Sequence, residues 1–332
     1  MVPRWRQKAE ADAGDASGNM ELLERGFWSW LVIRRGYRTT VEFFFASERR
    51  NFLILALPPV VWVLTQHLGP ILQMIRVSFY DAYPVAPGTN IEFTAKNYLR
   101  FFQDQVFVLP FIRTLAYSFI LTFATLIIVY PVAYFLARHV KRSNQLAFLL
   151  ILLIPFWVGE VVRTYAMMTL LGNNGAVNLV LKGLGIITRP IPFMYTGFSV
   201  SVGIMYLTAL FMLLPLYAAL EKIPRSYTEA AADLGAGALT RLFRVTLPLT
   251  YEGIGSGCTL VFLLSTGVYS VPILLGGPGS TLFSEIIAGF FYNAGDQWPT
   301  GAAFATIMFV TALVLAGAFM KLMGHLAKGG RR

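Results

Sequence analysis

Residues 221–252 read EKIPRSYTEAAADLGAGALTRLFRVTLPLTYE, a charged stretch set between two long runs, 194–220 and 253–277, that hold no Asp, Glu, Lys or Arg. The stretch carries its own helix signals. Ser226 and Glu229 have the spacing of a capping box, in which the Ser hydroxyl accepts from the Glu229 amide and the Glu side chain reaches back to the Ser226 amide. Ala230, Ala231 and Ala232 are strong helix formers, and Gly235 and Gly237 supply a stop and a turn. A second short helix is expected from about Leu239, with Leu242, Phe243 and Leu247 apolar, Arg241 and Arg244 basic, and Pro248 as its end. Helices this short gain little from propensity alone and owe their stability to packing. The stretch is therefore expected to dock on another protein surface.

The flanking runs are each long enough to cross a ~30 Å hydrocarbon core, which takes about 20 apolar residues. Residues 52–75, 114–137 and 299–320 are further uncharged runs, and 145–171 is a sixth that is uncharged through Gly159 before meeting Glu160 and Arg163. Pro58, Pro59, Pro131, Pro155, Pro215 and Pro272 fall inside these runs. Membrane helices accommodate such prolines, so they are read as kinks. Composition agrees: of 332 residues 56% are hydrophobic and 13% charged, against about 25% charged in a soluble domain. With 27 Phe, 15 Tyr and 6 Trp the chain is not a disordered one, and a single cysteine, Cys258, excludes an intramolecular disulfide and a Cys-based zinc site. The expected fold class is an all-α integral membrane protein of six transmembrane helices.

Orientation follows from the basic residues. With the N-terminus inside, 20 of the 27 Lys and Arg are cytoplasmic: 9 in residues 1–50, 3 in 138–144, 4 in 221–252 and 4 after Met320. By the positive-inside rule both termini and residues 221–252 are cytoplasmic, and the net charge of +10 is a topology signal rather than a sign of a nucleic-acid partner. The expected organisation is a cytoplasmic extension over 1–50, a transmembrane domain over 51–325 and the loop 221–252 within it. Residues 1–19 are polar and expected to be disordered. Residues 20–50 mix Phe27, Trp28 and Trp30 with Arg34, Arg35 and Arg38, which suits either a helix on the headgroup surface or a loosely structured basic leader.

The loop resembles a known one. Glu229-Ala230-Ala231, Gly235 six residues after the Glu, and Leu247-Pro248 are similar to the "EAA" loop of permease subunits of binding-protein-dependent bacterial ABC importers. The resemblance covers roughly residues 50–325 and is nearest to the spermidine/putrescine-type branch, through Arg163-Thr164-Tyr165-Ala166, LLPLYAALEK at 213–222, VPILLGGP at 271–278, and Trp298-Pro299 with Gly301-Ala302-Ala303. It implies the type I importer permease fold, with Glu229 to Gly235 as a coupling helix seated on an ATP-binding subunit. It implies further partners: a second permease chain, different or identical, and an external solute-binding protein, in the lipid of the bacterial inner membrane. No cofactor belongs to this chain on that reading; ATP and Mg are bound by the partner ATPase. Two departures stand out. Gln297 separates Asp296 from Trp298, and Gly267-Val268-Tyr269 lacks the acidic residue that many relatives carry before the aromatic of the fifth span. The resemblance favours a polyamine such as spermidine or putrescine, while the missing acid leaves another small polar or anionic solute open.

Glu160 and Arg163 lie three residues apart on one helix face, where they can pair. A straight helix from Gln145 puts Arg163 about 27 Å along, near the outer edge of the core, where its side chain can snorkel or line the outer mouth of a pathway with Glu160 and Tyr165. Tyr269 and Ser270 are pathway candidates in the fifth span, and Glu285, Asp296 and Trp298 in the outer loop after it. Gly253, Gly255 and Gly257 suit close helix packing. The chain has no Gly-x-x-x-x-Gly-Lys-Ser/Thr phosphate loop, and His67, His139 and His325 are too scattered for a metal. It is expected to be a transport subunit and not an enzyme, with no catalytic or metal residues. A secondary transporter would show inverted repeats and midplane ionisable residues, which are not evident.

Overall fold

The computed structural model describes residues 48–84, 92–292 and 297–329. The chain divides into two compact units, Met1–Gln73 and Met74–Arg332. The expectation for residues 1–47 lies outside the described residues.

Helix α1, Glu48–Val77, runs without interruption through Pro58, Pro59 and Pro70. Such prolines free carbonyls one turn earlier. In the same helix Thr65 Oγ1 donates to the Val61 and Trp62 carbonyls at 2.9 and 3.0 Å.

The second unit takes in the last turn of α1 from Met74, then the short amphipathic α2, Lys96–Gln103, and α3, Gln105–Arg138, which passes through Pro110 and Pro131. The third apolar run is broken. It forms α4, Arg142–Leu153, a 3-10 turn over Ile154–Trp157 and then α5, Glu160–Leu171, followed by α6, Ala176–Gly183. The two halves meet at 92°. Pro155 in the 3-10 turn and extended backbone at Val158 (ψ 134°) and Gly159 (ψ 151°) account for the corner. The straight-helix depth expected for Arg163 therefore does not hold.

Helix α7, Gly197–Glu221, starts at a capping box made by Thr196 and Ser199. The loop after it forms α8, Arg225–Asp233, and a helical stretch α9, Ala238–Leu249, whose middle five residues, Leu242–Thr246, are a π-turn. The stretch ends at Leu249, within one residue of the Pro248 expected to end it. In the π-turn the Leu247 amide bonds to the Leu242 carbonyl, five residues back. At Thr250 the chain turns by 70° into α10, Tyr251–Gly267. The fifth run is then also broken: Val268 is extended, and α11, Ser270–Leu275, resumes it. The connection to the last helix, expected as a loop, holds another apolar helix, α12, Phe283–Tyr292, before α13, Trp298–Gly329. Among the described residues four helices are long and apolar enough to cross a membrane, or up to six spans if each bent pair counts as one.

The core of this unit sits where α3, α7 and α10 meet, with Ala133, Leu136, Leu213, Leu216, Leu220, Ile254 and Val261 buried together. Close approach depends on Gly253: a Cβ there would lie 2.4 Å from Ala219 Cβ and 2.8 Å from the Pro215 carbonyl. A second cluster packs Val271 and Leu275 of α11 against Val200, Ile204 and Leu207 of α7. A third gathers Phe101, Phe283 and Phe304.

Candidate functional site

Two regions bring the candidate residues together, at opposite ends of α10. At the loop end, α8 begins at Arg225 because Pro224 takes the N-cap position with φ −60°. Ser226 is thus already inside the first turn, and its capping box with Glu229 is not formed. The other end is closed as expected. Gly235 adopts φ +83°, its amide reaches the Ala232 carbonyl at 2.9 Å, and the Ala236 amide reaches the Ala231 carbonyl at 2.9 Å. These two bonds are a Schellman cap, which needs a residue free of the Cβ penalty at positive φ. Glu229, Ala230 and Gly235 are exposed and Ala231 half-buried. Around them Tyr227, Leu234, Leu239 and Phe243 stand out from the protein, Leu234 at 89% of its full exposure. Leu247 and Pro248 lie apart from this surface, in α9, where Leu247 packs on the core of α3, α7 and α10.

About 25 Å along α10 from Thr250, at ~1.5 Å per residue, the two broken spans meet. Glu160 is the first residue of α5 and Ser270 the first of α11. The Ser270 hydroxyl donates to a Glu160 carboxylate oxygen. A carboxylate is favoured in a first helical turn by the unpaired amides there. The break itself is held from several sides. Ser284 Oγ donates to the Val268 carbonyl at 2.7 Å, and the Tyr195 amide and Ser199 hydroxyl both donate to the Leu275 carbonyl, at 2.9 and 2.8 Å. Tyr269, between the two half-helices, stacks on Tyr292 with ring centres 6.4 Å apart. Both rings line a cavity of about 650 Å³, together with Ser284, Thr266, Phe309 and Met308.

The remaining candidates separate from this junction. Arg163 does not pair with Glu160; its guanidinium lies over the Phe156 ring at 4.5 Å, with Nε and Nη1 buried and unpartnered. The corner at Val158–Gly159 turns Glu160 toward Ser270 instead. Tyr165 is half exposed. Glu285 caps α12, its Oε1 accepting from the Leu282 amide at 2.8 Å, and burial pushes its carboxyl above the ordinary range against the lowering effect of that bond. Trp298 packs against Tyr83 and Phe291, at 5.4 and 6.0 Å between ring centres. Asp296 lies outside the described residues. Ser284 was not anticipated, and nothing in its spacing marks it.

The junction offers a carboxylate and a hydroxyl, and the apolar-walled cavity lined by the adjoining Tyr269 offers two stacked phenols. Groups of these kinds can hold a cation whose body is hydrocarbon, although Glu160 and Ser270 do not themselves line the cavity. No family model matches the chain. It is 34% identical over 270 residues to the spermidine/putrescine transport system permease protein PotB of Salmonella typhimurium (strain SL1344), covering 81% of this chain and 92% of that protein. It is 36% identical over 257 residues to the Escherichia coli (strain K12) protein of the same name, covering 77% and 92%. Among solved structures it is similar, with TM-score 0.64 and 20% identity, to a chain of a bacterial alginate ABC transporter in complex with alginate pentasaccharide-bound periplasmic protein, covering 84% of this chain and 95% of that one.

Proposed function

The chain belongs to the spermidine/putrescine-type permeases of binding-protein-dependent ABC importers, and from that premise we propose that it carries a polyamine through the junction of its third and fifth spans. The observation that carries this reading is the Glu160 carboxylate set against Ser270 at the junction, one residue on from Tyr269, whose ring stacks on Tyr292 in the wall of a cavity that Glu160 and Ser270 do not themselves line. A polyamine is a flexible hydrocarbon chain bearing ammonium groups. Its charges need carboxylates or aromatic faces, and its methylenes need apolar walls. The acid missing from the fifth span is supplied across the junction by the third.

At the opposite end, the exposed helix of Glu229, Ala230, Ala231 and Gly235, with Leu234 and Phe243 beside it, is the docking surface for a cytoplasmic ATP-binding subunit. ATP and Mg belong to that subunit. A second permease chain closes the pathway, a solute-binding protein delivers the polyamine from outside, and both termini lie in the cytoplasm of a bacterial cell whose inner membrane holds the complex. Closure of the ATPase pair moves the docked helices and rocks the permease halves between inward-open and outward-open states.

The test is uptake by the complete transporter in proteoliposomes. Labelled spermidine or putrescine should enter in an ATP-dependent manner, and excess unlabelled polyamine should compete. ATP-dependent uptake of an anionic solute that polyamines leave unaffected would overturn the substrate assignment.

A further inference from the structure

The docking loop is attached to the bundle at its two flanks, Ile223 before α8 and Thr250 after α9, and both flanks are hydrogen-bonded to α3. Arg138 Nη1 donates to the Ile223 carbonyl at 3.0 Å. Tyr130 Oη lies 3.2 Å from Thr250 Oγ1. The Thr250 hydroxyl already donates to the Leu247 carbonyl at 2.9 Å, so its oxygen is the acceptor and Tyr130 the donor. Each anchor point is a pivot. Ile223 immediately precedes Pro224, the N-cap of α8, and Thr250 is the corner of the 70° turn between α9 and α10. Both are buried, Thr250 completely.

We infer that Arg138 and Tyr130 are positioning residues that fasten both pivots of the docking loop to α3, so that a displacement of α8 carries α3 with it. This rests on the reading of α8 as the ATPase-docking helix. The direct contact of α3 with α7 and α10 around the ties is mainly apolar, through Val129, Ala133, Leu136, Leu213, Leu216 and Ile254. Gln145 of α4 bridges the Ala137 and Val140 carbonyls to the Tyr217 hydroxyl of α7, which leaves the loop flanks themselves to Arg138 and Tyr130. Apolar contact is non-directional and lets helices slide, whereas a hydrogen bond loses strength steeply with distance and angle and so holds register. The placement of the two ties matters as well. They are eight residues apart, about 12 Å along the helix axis, and Pro131 lies between them. A proline leaves a helix bendable at that point. A tie at Arg138 alone would move only the last two turns of α3, and the one at Tyr130 passes the load beyond the bend. Arg138 is also poorly explained by stability, since its Nε and Nη2 are buried without a partner and such groups are costly to bury.

The test uses the complete transporter, with ATP hydrolysis and uptake measured together in the presence of loaded binding protein. The double variant Arg138→Met, Tyr130→Phe keeps side-chain bulk and removes both donors. It should insert, retain its ATPase subunits and hydrolyse ATP at close to the parental rate, while uptake per ATP falls on the order of tenfold, as expected for losing two interhelical bonds. Arg138→Lys, which keeps a donor, should recover most of that ratio in an otherwise parental chain. An unchanged uptake-to-ATP ratio in the double variant overturns the inference. So does a parallel fall of uptake, hydrolysis and subunit recovery, which marks a merely structural role. Gly235→Trp distinguishes the levels of failure: normal uptake in that variant sinks the docking-loop reading itself. Loss of uptake there, with an unchanged ratio in the α3 variant, sinks only the ties.

Discussion

The two ends of α10 are built in opposite ways. At the loop end the decisive bonds are local, Gly235 to Ala232 and Ala236 to Ala231, and large apolar side chains, Leu234 and Phe243, are left exposed. At the far end the decisive bond joins Glu160 to Ser270 across 110 residues of sequence, and the neighbouring pieces are tied down by Ser284, Tyr195 and Ser199. One region is a self-contained shape with an exposed apolar surface. The other is a set of unrelated segments that have meaning only when assembled. On the reading proposed above, a substitution at the first should therefore act through what docks there, and one at the second through what passes the junction.

The sharpest way to break that contrast is Gly235→Trp. A Cβ at Gly235 meets nothing within 4 Å, so the cost to the chain alone is the left-handed backbone, about 1–2 kcal/mol. Insertion should survive and ATP-driven uptake should be nearly abolished; normal uptake would mean that nothing docks on this cap. Next in size is Glu160→Gln, which keeps an acceptor for Ser270 and removes the charge. The uptake KM for a polyamine should rise on the order of tenfold, the scale of one charged hydrogen bond, with ATPase association unaffected. An unchanged KM would make the junction a structural contact only.

Between the two ends, Gly253→Val tests the packing that holds α10 against α7. Overpacking of this kind costs about 1–3 kcal/mol, and the 2.4 Å approach to Ala219 Cβ places the change at the upper end. Thermal melting in detergent should fall by several degrees. If it does not, α7 and α10 separate more readily than their contact implies. The smallest effect is expected at Glu285. Its carboxyl titrates higher in the folded protein than in the free chain, so the folded state holds the extra proton and its contribution to stability is lost as pH rises through the carboxyl range and above it. Glu285→Gln should flatten the fall in melting temperature from pH 4.5 toward neutrality. A variant with the parental pH profile would show that the burial of this group has no energetic consequence.

The parts legible from sequence share one property: the interacting groups lie within a helical turn or two. Ala230 to Ala232, the glycine stop at Gly235 and the apolar runs of α3, α7 and α13 were all visible for that reason. Even local signals failed where a stronger neighbour intervened. Pro224 set the start of α8 ahead of the Ser226–Glu229 capping box. Spacing alone allowed Glu160 and Arg163 to pair, but the corner at Val158–Gly159 aimed them at Ser270 and Phe156. The absence of an acid from Gly267-Val268-Tyr269 weighed against a polyamine for the same reason, since the carboxylate beside Ser270 comes from a different span.

Amino-acid order by itself determined a membrane protein with a charged helical loop between its fourth and fifth spans, because hydropathy, charge placement and a glycine cap act along the chain. Only the tertiary structure decided that two spans break, that Glu160 meets Ser270 next to Tyr269 and Tyr292, and that α3 holds both flanks of the loop. Those contacts depend on how helices pack, and packing joins residues whose separation in sequence carries no period to read.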